Sequence, residues 1–187
     1  MGVDAITVGS QISVALQTIV SRKLNPADNG ILSITEFITD GKKNILPGKV
    51  TIKGDARALS KETSALIEKN MRQIVRGICD AHGVKAEVLY QTTVIPTFNS
   101  SKQTEAATKA AKNIFDRKKI DGDCLPRLFS EDFAIMSDVK PGCFVLMGNG
   151  TKGSHSRPLH APDYDFNDEL LVIGSSYWSD LVEQQLK

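Results

Sequence analysis

Two of the three histidines in this chain, His155 and His160, lie five residues apart in a loop rich in carboxylates. Neutral imidazole binds zinc well, and a neighbouring carboxylate can orient the ring, so this loop has the composition of a metal-ligating segment. The same spacing suits a loop histidine engaged only in hydrogen bonds. His82 falls at a helix end and reads as structural. Glu131-Asp132 could supply acid–base chemistry or could complement a helix dipole just behind Ser130; composition leaves both open. Arg57, beside Asp55 on the polar face of an alternating segment, could grip a carboxylate through its planar fork or lie on a solvated face.

Two motifs fail on context. Gly148-Asn149-Gly150-Thr151-Lys152-Gly153 fits G-x-G-x-x-G, but that fingerprint needs a helix opening at the loop to receive a pyrophosphate. Pro158 and Pro162 follow, and no helix runs through them. Asp163-x-Asp165-x-Asn167 matches the opening of a calcium loop, yet Asp168 and Gly174 stand where glycine and glutamate are required. Asn167, Asp168 and Glu169 read better as the cap and first turn of a helix.

These residues must be positioned by a chain of ordinary globular composition. It has 187 residues, 41% hydrophobic and 24% charged, with 23 basic and 22 acidic residues giving a net charge of +1. No single-sign field arises to draw in nucleic acid or an anionic membrane. The short Arg117-Lys118-Lys119 cluster reads as a solvated helix end. No apolar run approaches the roughly 20 residues of a membrane span. The start, MGVDAITVGS, lacks the features of a secretory leader. Three cysteines without a CxxC pair argue against a disulfide framework, and a cytoplasmic setting is expected.

Periodicity predicts a first helix from an Asp4 cap to Asn25-Pro26, with Ile12, Leu16, Ile19 and Val20 on one face. Strands follow over Ile31–Ile38 and Lys49–Leu59, the second alternating through Val50, Ile52, Ala56 and Ala58. Ser60 should cap a long helix with Ile67, Met71, Ile74 and Ile78 inward, closed at His82-Gly83. A third strand is expected over Val84–Gln91. Residues 4–92 then read α-β-β-α-β, a split βαββαβ unit without its first strand. Beyond a linker at Pro96–Ser100 come an alanine-rich helix near Gln103–Phe115, a helix Glu131–Ser137 capped by Ser130, a strand Cys143–Met147, and a terminal helix capped by Asn167.

Several segments taken in order carry a resemblance: VGSQISVALQTIVSR, NILP followed by GDAR, PTFN, SEDF, PG-F-LMGNG and LHAPDYDFND. Together they resemble the aminoacylase-like metal-dependent amidohydrolases of the hippurate hydrolase and indole-acetyl-amino-acid hydrolase type. Their clan includes carboxypeptidase G and acetylornithine deacetylase. The resemblance implies an α/β fold in two parts. Residues 4–92 would form a ferredoxin-like βαββαβ lid and dimerisation domain, its first strand missing. Residues 93–187 would be the carboxy-terminal part of a zinc-peptidase-like catalytic domain.

It also implies roles. His160, in the LH-P segment, would be a metal ligand; Asn44 and Arg57 would face the substrate; Glu131 of SEDF would lie near the site with no assigned role. The cofactor would be a divalent metal (zinc, manganese or cobalt) and the substrate a small N-acyl amino acid. The family's other ligands, its general-base glutamate and its lid histidine have no counterpart motifs here. The chain alone is therefore expected not to hydrolyse amides. The alternative is a non-catalytic dimerisation or interaction module derived from such an enzyme. Self-association into a homodimer or larger species is expected, through an unpaired strand edge and through apolar residues such as Ala110, Ile114 and Phe115.

Overall fold

A computed structural model describes residues 2–186. The chain divides into two compact units, residues 1–96 with 126–131, and residues 97–125 with 132–187.

The first unit begins with helix α1, Ala5–Thr18. Asp4 caps it as expected, its Oδ1 accepting the Ile6 N–H at 2.9 Å and its Oδ2 the Thr7 hydroxyl at 2.6 Å. The helix ends in a π turn, Ile19–Lys23, closed by the Leu24 N–H on the Ile19 carbonyl at 3.1 Å. The turn leaves Ile19 fully buried. Strands β1, Gly30–Thr39, and β2, Val50–Ala58, pair antiparallel. Gly30 lies opposite Ala58 and Thr39 opposite Val50, with a bulge between Ile34 and Glu36. The extra residue shifts the phase of β1, so Leu32 and Ile34 share a face with Phe37 rather than Glu36. On β2 the predicted alternation holds: Ile52, Ala56 and Ala58 pack on the core. Gly9 lets α1 sit close to this face, since a Cβ there would lie 3.0 Å from the Phe37 ring and from Val50.

Helix α2, Lys61–His82, starts at Ser60, whose hydroxyl accepts the Thr63 N–H at 3.0 Å, and ends at Gly83 with φ 65°. Ile67 is fully buried, Met71, Ile74 and Ile78 pack against the core, and Val75 and Cys79 widen the stripe. The core is thus one two-stranded sheet covered on one face by α1 and α2.

The strand expected over Val84–Gln91 does not form. A strand exists through a hydrogen-bonded neighbour, and among the described residues the only ladder is β1–β2. Helix α2 holds the segment instead: Val84 donates to the Cys79 carbonyl at 3.0 Å, and Arg72 Nη1 donates to the Val88 carbonyl at 2.8 Å. Val84 and Val88 still pack on the core.

The second unit contains α3, Ser101–Ile114; α4, Phe133–Val139; and α5, Glu169–Gln185. Helix α3 packs against α5 through small side chains, and Ala110 is completely buried with Ala107 nearly so. Ala110 is therefore not part of an exposed patch, as the sequence suggested, because α5 covers it. Asn113 on α3 donates to both carboxylate oxygens of Asp180 on α5, at 3.1 and 3.2 Å. Helix α4 begins at Phe133, not Glu131, with Asp132 rather than Ser130 in the cap position. The cap position of α5 is likewise Asp168 rather than the expected Asn167, although Asn167 Oδ1 accepts the Glu169 N–H at 3.2 Å. The strand expected over Cys143–Met147 is also absent, again for want of a pairing strand among the described residues.

Candidate functional site

In the first unit, β1 and β2 form a hairpin, and Asn44 lies in its connecting turn. Lys42 and Ile45 exchange backbone hydrogen bonds at 3.2 and 3.0 Å, which fixes the turn and leaves Asn44 exposed. Arg57 lies near the other end of the hairpin, opposite Ile31. Seven residue steps along the strand separate it from Val50 at the turn end, roughly 23 Å at extended rise. Asn44 and Arg57 therefore lie at opposite ends of the hairpin.

Arg57 is engaged. Its Nε is 2.6 Å from Asp55 Oδ2, and its Nη1 donates to the Leu128 carbonyl at 2.9 Å. Asp55 and Arg57 are two apart on one strand and project from the same face. The Leu128 contact draws in residues 126–131, the segment that ends at half-buried Glu131. Arg57 and the Glu131 segment are thereby tied together. The sequence placed Asp55 beside Arg57 but gave no sign of Leu128.

In the second unit, His155 and His160 part company. His155 Nδ1 is 3.3 Å from the Asp165 carbonyl and 3.8 Å from its carboxylate, so this histidine takes the hydrogen-bonding role. His160 is exposed, in a turn flanked by Pro158 and Pro162, at φ 69°. Among the described residues it is the one non-glycine at positive φ. That conformation costs of order 1–3 kcal/mol and persists where surrounding structure imposes it. Turn hydrogen bonds from Ala161 to Pro158, 3.1 Å, and from Tyr164 to Ala161, 3.0 Å, impose it here.

A catalytic zinc site takes about three protein donors and an open position. Among the described residues no three His, Cys, Asp or Glu side chains converge in that way. These residues do not by themselves fit a complete metal site. The Gly148 loop opens no helix: Gly153–Ser156 is a single 3-10 turn, which does not meet the requirement of a dinucleotide fingerprint. Sequence reasoning missed Asn149, whose side chain bonds to three later residues of this loop. The asparagine was visible in the glycine motif, but nothing local announced partners up to 18 residues away.

Comparison with known proteins agrees with the resemblance. Residues 3–184 match Peptidase family M20/M25/M40, and the chain belongs to that family. It is 32% identical over 184 residues to a hippurate hydrolase of Campylobacter jejuni, a match covering 98% of this chain and 47% of that protein. It is 28% identical over 188 residues to an IAA-amino acid hydrolase of Arabidopsis thaliana, covering 98% and 43%. Among solved structures, a dinuclear metal-binding peptidase of the same family from Bacillus subtilis superposes with a TM-score of 0.75 at 26% identity, covering 96% of this chain and 45% of that one. The chain spans about half the length of the relatives it matches. No helix among the described residues is long and apolar enough to cross a membrane.

Proposed function

We propose that this chain supplies the substrate-side groups and one metal ligand of an amidohydrolase acting on small N-acyl amino acids. His160 carries the reading: the histidine that the resemblance marks as a ligand sits at a loop tip in a backbone conformation that its surroundings must impose. Residues 4–92 correspond to the lid and residues 93–187 to the part of the catalytic domain that follows it. Arg57 anchors the substrate carboxylate; Asp55 and the Leu128 carbonyl hold its guanidinium while leaving N–H groups to donate. Asn44 contacts the acyl amino acid from a second copy of the chain, since it lies too far along the hairpin to act beside Arg57 of its own copy. The divalent ion, be it zinc, manganese or cobalt, takes its further donors from another polypeptide segment, and the chain by itself turns over no amide.

A chimera tests this. In it, this chain replaces the matching region of the Campylobacter hippurate hydrolase. It should hydrolyse N-acyl amino acids, and His160→Ala should abolish turnover. A folded chimera inactive on every N-acyl amino acid tried would contradict the reading.

A second reading, a non-catalytic interaction module, has one observation in its favour. Leu171, Trp178 and Val182 recur along α5 at i, i+7 and i+11 and are 59%, 57% and 52% exposed. Such a module would self-associate and leave the chimera inactive.

A further inference from the structure

The loop that carries His160 is closed at its neck by one side chain. Asn149 Nδ2 donates to the Asp165 carbonyl at 2.8 Å and to the His155 carbonyl at 3.1 Å. Its Oδ1 accepts the Asn167 N–H at 2.9 Å. A carboxamide offers two donor hydrogens and an acceptor, and here both kinds are used, all on backbone groups. The two arms of the loop, one leaving at residue 149 and one returning at 165–167, are thus stitched through a half-buried group.

Its surroundings fit tightly around that stitch. Gly150 takes φ 146°, and a Cβ there would lie 2.9 Å from the His155 Cβ, so the chain can pass His155 only as glycine. Ser154 donates to the Asp165 carboxylate at 2.9 Å. Farther toward the tip, Arg157 Nε lies 2.9 Å from Asp163 Oδ2, spanning the turn that contains His160. Pro158 and Pro162 fix two φ angles within that turn. Once the neck is closed, few conformations remain for the tip; with the neck open, a loop of this length regains most of its freedom.

We infer that Asn149 is a positioning residue for His160, holding the loop neck so that the imidazole is presented from a fixed backbone. This rests on the proposed ligand role of His160, but the closure of the loop can be measured apart from it. Aspartate at this position keeps the acceptor for Asn167 and loses both donors; alanine loses all three bonds.

Amide hydrogen exchange on the full chain reads the closure directly. In Asn149→Ala, amides of residues 159–165 should exchange about tenfold faster or more, while α3 and α5 keep their wild-type rates. In Asn149→Asp the Asn167 amide should stay protected while residues 159–165 loosen as in the alanine variant. Unchanged exchange at the tip in either variant would overturn the inference. So would a uniform rise through α3 and α5, because Asn149 would then support the whole unit rather than the loop. If the alanine variant fails to fold, the aspartate variant carries the same test. The chimera adds the functional arm: Asn149→Ala should lower kcat about tenfold or more with KM held within about twofold. Full activity with Asn149→Ala, where His160→Ala is inactive, would overturn the positioning role. Full activity with both variants would instead sink the reading of His160.

Discussion

The side chain of Asn99 pairs with both backbone groups of Phe144: its Oδ1 accepts the Phe144 N–H at 2.8 Å, and its Nδ2 donates to the Phe144 carbonyl at 2.9 Å. One residue on, the Ser100 N–H donates to the Gly142 carbonyl at 2.8 Å. A single amide thus does for Phe144 what a neighbouring strand would do in a sheet. Asn99→Ala removes both of these hydrogen bonds, and unfolding of the second unit should become easier by about 1–2 kcal/mol. Trp178, the chain's single tryptophan, lies in that unit, so its fluorescence in a urea titration follows the loss. A change within about 0.5 kcal/mol would mean that water replaces Asn99 at no cost.

The same pair explains part of what sequence could not disclose. Where local chemistry decides, sequence and structure agree: Asp4, Ser60 and Gly83 terminate helices because their own atoms or backbone freedom do so. The two strands were legible from β-branched composition in the first and alternation in the second, which also marked the inward face of β2. Val84–Gln91 and Cys143–Met147 have strand-like composition, but strand formation depends on a distant partner that composition does not disclose. The bulge at Ile34/Glu36 was likewise invisible, being a property of the pairing. In the candidate site, His160, Arg57 and Asn44 came from resemblance, whereas the contacts of Arg57 with Leu128 and of Asn149 with the neck of the His160 loop are made to backbone groups, which carry no sequence identity.

Arg57 should matter far more for binding than for folding. Its pair with Asp55 is roughly half exposed, 41% and 54%, and contributes at most about 1 kcal/mol to stability. A charge-assisted contact to a substrate carboxylate contributes about 1.5–3 kcal/mol, a ten- to hundredfold effect or somewhat more. In the chimera, Arg57→Ala should raise KM by that factor for N-acyl amino acids. Substrates with an amidated carboxylate should be little affected. Equal losses on both kinds would mark the arginine as structural.

Acid and alkali should act on opposite ends of the chain. The hydrogen bond from the Thr7 hydroxyl, aided by the Thr7 and Ile6 amides, holds the Asp4 carboxyl below its ordinary value. A depressed acid stabilises the fold above its unfolded pKa and loses that contribution as pH falls through the folded value. Helix α1 should therefore fray below about pH 4. Asp4→Asn, which still caps but does not titrate, should flatten that limb in circular dichroism. Burial pushes the Tyr177 hydroxyl up, with Cys143 adding to it. A raised acid keeps its contribution below the unfolded pKa and loses it as pH rises through the folded value. The α3–α5 packing should thus weaken above about pH 10, and Tyr177→Phe should remove that dependence. Superimposable pH curves for the wild type and either variant would refute the assignment for that residue.

Self-association should be measurable. The two-stranded sheet has no further strand on either edge among the described residues, and α5 presents Leu171, Trp178 and Val182 to solvent. Light scattering behind size exclusion should give dimers or larger species, with Trp178→Glu shifting the population toward monomer. A mass near 20.4 kDa that is unchanged on concentration would count against it. The placement of Asn44 on a second copy would fall with it.

What this chain does unaided is the most direct test of the proposed function. On the proposed reading it holds substrate-side groups and one metal-ligating histidine only, so N-acyl amino acids incubated with it and with zinc, manganese or cobalt in turn should remain intact. Turnover that appears with metal, disappears with a chelator and returns when the metal is restored would contradict the claim. It would show that these 187 residues assemble a complete metal site, whereas among the described residues no three candidate ligand side chains converge.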